Sequence, residues 1–209
     1  GGDSGATGTL RLALTDAPAC GYDAVNVTIE RVRVHKSASA GDNDGGWVDI
    51  ALAQPTTVDL LSLRNGVLSE LGSAQLEAGR YTQMRLVLLK DANTIVPTGG
   101  SEQPLTTPSA TQSGLKFNIG IDVAANEVAD FVLDFDACKS IVKAGKSGKY
   151  LLKPVLTVLP RLTGVQSVEG YVVPSLANSQ TAVTLQQGGV VVRGTVPDVN
   201  GRFLLSPLP

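Results

Sequence analysis

Carboxylates are the side chains of this sequence best spaced to do chemistry. Asp130, Asp134 and Asp136 stand at even intervals in the run ADFVLDFD. On an extended strand all three therefore project from one face, while Phe131, Leu133 and Phe135 project from the other. Like charges in a row repel, so a cation or facing basic residues are expected beside them. These three are weak candidates for a metal site, and arginine pairing or plain solvent exposure is the simpler expectation. Asp134 and Asp136 also supply, on paper, the two carboxylates of a glycoside hydrolase. Two residues apart on a strand they lie roughly 7 Å from each other, and the sequence provides no cleft around them.

A second acidic group, Asp42, Asn43 and Asp44, precedes Gly45-Gly46. A calcium loop of the EF-hand kind needs another acidic ligand about twelve positions along, where Ala53 stands, so a turn is expected. Gly2-Asp3-Ser4-Gly5 has the form of a hydrolase serine segment, but an activated serine needs a base held by a third group. His35, the sole histidine, reads as a strand-end residue without such a partner. Gly145-Lys146-Ser147 has the end of a phosphate-binding loop, yet Ser140 occupies the position of a required glycine and a strand follows. Lys139, Lys143, Lys146, Lys149 and Lys153 cluster without interleaved aromatics, as in a solvated hairpin. Asn26-Val27-Thr28 is a glycosylation sequon in form only.

The 209 residues carry 17 Lys and Arg against 19 Asp and Glu, a net charge of -2 that gives no bulk attraction to nucleic acid or anionic lipid. With one His, two Cys, one Met and one Trp, there is little material for metal ligation or acid–base catalysis. The expectation is a non-enzymatic protein without a cofactor. No apolar run reaches the roughly 18 residues that cross a bilayer, so any membrane link is expected to lie outside this chain or to be a lipid anchor on a residue outside it. Cys20 and Cys138 either stand as two buried thiols or form a disulfide, the favoured reading. Such a bond closes a loop of more than about 100 residues, which the chain-entropy model values at about 4 to 5 kcal/mol.

The elements that must position these residues are strands. The 23 glycines and 11 prolines favour short segments and tight turns, and the dominant period is two. Leu10, Leu12 and Leu14 share one face of Gly8 to Thr15, with Thr9, Arg11 and Thr15 on the other. Val25, Val27 and Ile29 repeat the pattern before the apolar parity switches to Val32 and Val34. That switch predicts a bulge near Glu30 and Arg31. Further strands are predicted over 47–50, 80–89, 115–121, 127–135 and 150–159, with a short helix over 67–71 behind Asn65-Gly66. Residues 93–114 read as a long exposed loop. Beyond a linker at 164–167, strands are expected over 168–173, 182–186, 190–195 and 202–205. The organisation expected is a flexible segment 1–7, a β-sandwich domain 8–162 and a partial β domain 163–209 that looks like an unfinished sandwich.

The blocks LTDAPACGYDAVNVTIERVRVH, WVDI with VDLLSL, LEAGRYTQMRLVL, and DFVLDFDACKS with GKYLLKP resemble the bacterial domain-of-unknown-function 4382 family over approximately residues 8–160. The tail GGVVVRGTVPDVNGRFLLSPLP resembles carboxypeptidase-regulatory-like or prealbumin-like domains. LEAGRY at 76–81 echoes the kind of segment that follows in those modules. The resemblance implies an all-β fold, an immunoglobulin-like or prealbumin-like sandwich followed by a second, incomplete small sandwich. It also implies an extracytoplasmic place, at the cell surface or beyond, often as a lipoprotein. It brings no established catalytic residues.

Two functions follow as expectations. The first is a secreted or surface-anchored structural and interaction module, with cell-surface partners or with self-association through β-strand edges into extracellular filaments. The alternative is an envelope carbohydrate-binding or hydrolytic lipoprotein, which the 4% aromatic content and single Trp47 do not favour.

Overall fold

The computed structural model describes residues 5–17, 21–64, 67–107, 114–161, 167–178 and 181–206. The fold is all-β and sandwich-like. Its strands are β1 (Thr7–Ala17), β2 (Tyr22–His35), β3 (Val48–Asp59), β4 (Ser69–Glu77), β5 (Gly79–Leu88), β6 (Thr94–Pro97), β7 (Gln103–Thr106), β8 (Leu115–Val123) and β9 (Val128–Asp136). A single helical turn, α1 (Ala137–Ser140), precedes β10 (Ile141–Lys143), β11 (Tyr150–Leu152) and β12 (Leu156–Pro160). The chain continues through β13 (Val168–Tyr171), β14 (Val183–Gln187), β15 (Val190–Thr195) and β16 (Arg202–Leu205).

Strands β12, β9, β1 and β4 form one sheet in that order, with β1 and β9 parallel and the other pairs antiparallel. The larger sheet runs β10, β11, β7, β6, β2, β5, β8, and β3 also pairs with β2. The inner faces of the two sheets share one apolar cluster. Leu10, Leu12, Leu14, Leu133 and Phe135 come from the smaller sheet; Val25, Val27, Ile29, Val32, Val34, Met84 and Leu86 come from the larger. The last four strands make two two-stranded pairs, β13 with β16 and β14 with β15.

The bulge in β2 lies where the parity switch predicts it. Pairing with both β3 and β5 shifts between Ile29 and Arg31, and Val25, Val27, Ile29, Val32 and Val34 are all fully buried. One extra residue turns the second half of the strand over, so that both valine sets face the core.

Three expectations are corrected. Residues 67–71 do not form a helix: Ser69–Glu77 is a strand antiparallel to β1, and the nearby helical turn is a 3-10 segment at Leu60–Ser62. Leu71 and Leu76 are both buried, a five-residue spacing that fits no regular strand. It is made regular by a register shift opposite Leu12 and Ala13, next to Gly72, whose φ of 144° disfavours a side chain. Residues 93–114 are not one exposed loop, because β6 and β7 pair within them and Asn93, Ile95 and Leu105 are buried; residues 108–113 lie outside the described set. The strand expected over 150–159 is two strands in different sheets, separated at Pro154, which has no N–H to continue a ladder. Asn65-Gly66 and the linker at 164–166 lie outside the described residues.

Phe135 is fully buried at the centre of the smaller sheet's inner face. Phe135→Ala should lower the unfolding free energy by about 3 to 5 kcal/mol in urea titration, and a loss below about 1 kcal/mol would refute this placement. Deleting Glu30 removes the extra residue, so Val32 and Val34 should turn outward and the purified variant should bind more of a hydrophobic dye than the native protein does; equal binding would contradict the bulge's role.

Candidate functional site

The three carboxylates on the outer face of β9 are held by three different devices. Asp130 pairs with Arg11 of β1, whose Nε donates to Asp130 Oδ2 at 3.1 Å. This follows from the parallel register, which sets Arg11 directly beside Asp130. Asp136 caps α1, its Oδ1 accepting from the Lys139 backbone N–H at 3.0 Å. Asp134 is paired with Arg193, which arrives from β15, 59 residues along the chain.

The Arg193 side chain is only 3% exposed and that of Asp134 15%. Arg193 Nη2 also donates to Ser206 O at 3.1 Å, so one guanidinium ties β9, β15 and the end of β16 together. Burial pushes the Asp134 carboxyl above the usual carboxylate range; Arg193 pulls it down by less, and Asp136 pushes it up further. Asp134 Oδ1 and Arg193 Nε lack hydrogen-bond partners among the described residues. Beside the pair lies a cavity of about 140 Å³, lined by Asp134, Asp136, Lys139, Thr157, Thr184 and Arg193 among others. No group of three His, Cys, Asp or Glu arranged to hold a metal ion occurs among the described residues.

The other candidate groups are placed apart from these. In the hairpin turn between β2 and β3, Asp42 Oδ1 accepts from Arg33 Nη1 at 2.9 Å and Asp44 Oδ2 accepts from the Gly41 N–H at 2.7 Å. His35 Nδ1 accepts from the Ser37 N–H at 2.8 Å, which leaves Nε2 to donate to Gly45 O at 2.7 Å. Trp47 lies against Arg33 at 4.7 Å, Arg85 at 5.2 Å and the edge-on ring of His35 at 5.0 Å, so its ring is engaged within the chain. Fully buried Gln83 donates to Ser37 O and Ala40 O, each at 3.0 Å, and fastens this loop to β5. Gln83 and Arg85 are supports of this loop that sequence reading missed. Their positions in β5 carry no sign that a loop folds over them.

Lys139, Lys143, Lys146, Lys149 and Lys153 are spread over α1 and the β10–β11 hairpin, with Lys143 over the Tyr150 ring at 5.7 Å. Asn26 sits inside β2 between β3 and β6, and its Nδ2 donates to Thr94 Oγ1 at 3.1 Å. Ser4 and Cys20 lie outside the described residues, and Cys138 is in α1.

A wide concave surface lies at the flank where both sheets end. Strand β8 ends the larger sheet and β12 ends the smaller one. Between them runs a groove of about 750 Å³, lined by Phe117 and Ile119 from β8, Leu156 and Val158 from β12, and Phe131 from β9. All five are half-buried against the core. The alternation of β8 explains the wall, since Leu115, Phe117, Ile119, Ile121 and Val123 all point inward. The charged residues at the groove are Lys116 and Asp122, and Asp122 is bridged by Arg80 Nη1 at 3.1 Å.

This geometry defines an all-β sandwich-like protein with a groove at the β8–β12 flank and with the three outer-face carboxylates of β9 engaged by arginine or a helix cap. The chain belongs to the family described as domain of unknown function (DUF4382), whose model matches residues 7–154. No curated protein and no solved structure matches it significantly.

Removing Arg193 leaves a buried carboxylate without its counter-charge, which costs about 3 to 5 kcal/mol. Arg193→Ala should therefore speed hydrogen exchange in β14–β16 while leaving β2 protected, and unchanged exchange in β15 would sink the assignment. Because the folded state takes the Asp134 proton more readily than the unfolded chain does, stability from this group is fullest in acid. It falls as pH rises from the ordinary aspartate value, about 3.9, through the raised folded value. Asp134→Asn should flatten that part of the stability–pH curve, and an identical slope in the variant would contradict it.

Proposed function

We propose that the protein is a non-enzymatic structural and interaction module of the bacterial cell surface or extracellular space, and that it self-associates by pairing strand edges. The observation that carries this reading is the flank where β8 and β12 end their sheets, edges without a strand partner among the described residues, on either side of an apolar floor. An edge strand presents a row of backbone donors and acceptors that another chain can complete. Catalysis gains no support from the carboxylates, since Asp130 and Asp134 are engaged by arginines and Asp136 by a helix cap. Sugar stacking gains none from Trp47, which is already occupied by Arg33, Arg85 and His35.

An extracytoplasmic place accords with the resemblance of the family to exported proteins, and a lipid anchor outside this chain would hold it at the surface. There Cys20 and Cys138 pair, joining the segment after β1 to α1. The final strands, β13 to β16, form a separate small β domain of the carboxypeptidase-regulatory-like or prealbumin-like kind, fixed to the first by Arg193.

Negative-stain electron microscopy of gently purified, untagged native protein tests the assembly directly. Ordered fibres or defined oligomers are expected, and uniform particles of monomer size at all concentrations would overturn the self-association. Peptide mapping without reductant should find Cys20 joined to Cys138, and two alkylatable thiols in the native protein would refute the pairing.

A further inference from the structure

Building on the self-association just described, we infer that the groove between β8 and β12 receives the β14–β15 hairpin of a second copy of this chain. Both walls of the groove are sheet edges, so the occupant that satisfies them is extended backbone rather than a helix. Its floor is apolar; at its rim Asp122 is balanced by Arg80, and Lys116 stands at the other end of β8. A strand charged along its middle would lose hydration over that floor without gaining a partner there, so the groove selects a strand whose middle is uncharged.

The chain carries such a segment. No charged residue occurs from Gly170 to Val192, a run that spans both strands of the hairpin up to the residue before Arg193. Val190 and Val191 are 64% and 52% exposed. Natural edge strands are commonly guarded by charge, especially lysine, and this hairpin has no such guard before Arg193. A two-stranded ribbon is marginal alone in water. Here Arg193 and Asp134 anchor its base, while the turn at Gly188-Gly189 and the adjoining valines remain exposed.

Donor and acceptor lie at different places on the same molecule. One such contact leaves a free hairpin and a free groove on the pair, so contacts repeated without closure build an open-ended filament. The groove thus assigns the partner of the strand-edge reading: another copy, engaged through its uncharged hairpin.

Light scattering over a concentration series, with variants on each side, tests this. Val190→Lys removes the donor and Ile119→Lys the acceptor; Val158→Lys, on the opposite wall, serves if Ile119→Lys does not fold. Each variant alone should need at least about tenfold more protein to associate than the native chain. An equimolar mixture of donor and acceptor variants should form a one-to-one dimer and stop there, because only one intact contact can be made. If native protein associates and Val190→Lys does so equally well, the hairpin is not the donor, although strand-edge assembly stands. The hairpin is likewise excluded as donor if Tyr171→Lys blocks association and Val190→Lys does not. If the native chain stays monomeric throughout, both the hairpin assignment and the self-association fall.

Discussion

The architecture depends on one extra residue in β2. This strand is the centre of the larger sheet, pairing with β6 along its first half, with β5 along its second, and with β3 along much of its length. A regular strand alternates strictly, so its second half would carry Val32 and Val34 to the outside. The shift between Ile29 and Arg31 turns that half over. It places Arg31 and Arg33 on the outer face beside Asp49. The same geometry lets the loop after His35 fold back over Gln83 and Arg85, because β5 is in register with this half of β2.

Charge on the outer faces is settled locally, and one pair does more than the others. Arg11–Asp130 follows from strand adjacency and stays half-exposed at the arginine, the setting in which ion pairs contribute little. Arg193–Asp134 is buried, so its attraction is set against the cost of removing both groups from water. Its consequence is orientation: an unpaired guanidinium or carboxylate there is costly enough to exclude other seatings of β15 on β9. The raised Asp134 carboxyl belongs with this picture, since burial outweighs the arginine beside it.

Much of the strand pattern was legible, because period-two runs such as Leu10, Leu12 and Leu14 have few alternative folds. The bulge was legible for the same reason: a parity switch inside an otherwise apolar strand has a single economical solution. The failures came where local signals were weak or a tertiary contact decided. Leu71 and Leu76 disguised β4 because a bulge broke their period, and the apolar run on both sides of Pro154 masked the break that proline imposes. Ile95 and Leu105 were hidden in a Thr-, Ser- and Pro-rich stretch whose composition suggested a loop. At the candidate sites, the alignment of Asp130, Asp134 and Asp136 could be read, and so could the need for basic neighbours. The identity of Arg193 could not, because only the docking of β15 brings it across 59 residues. The groove was equally invisible, since Phe117 and Val158 look like ordinary core residues until β8 and β12 both become edges.

An open flank of this kind is a conflict between two requirements of a sandwich. The inner faces must be apolar along their whole width to bury the core, yet the outermost strands have no neighbour to complete them. Proteins commonly resolve this with charge at the edge, a covering loop or closure into a barrel. In β8 the charged positions are Lys116 and Asp122, at opposite ends of a stretch whose middle is Asn118, Ile119 and Gly120. In β12 there is none. The flank thus carries no charge of its own where it is most apolar, although the Arg80 guanidinium lies over Gly120, and the hairpin after it carries none until Arg193. Such gaps on two separate surfaces of one chain are best accounted for together, because a surface that is costly alone becomes favourable once a complementary apolar strand removes both from water.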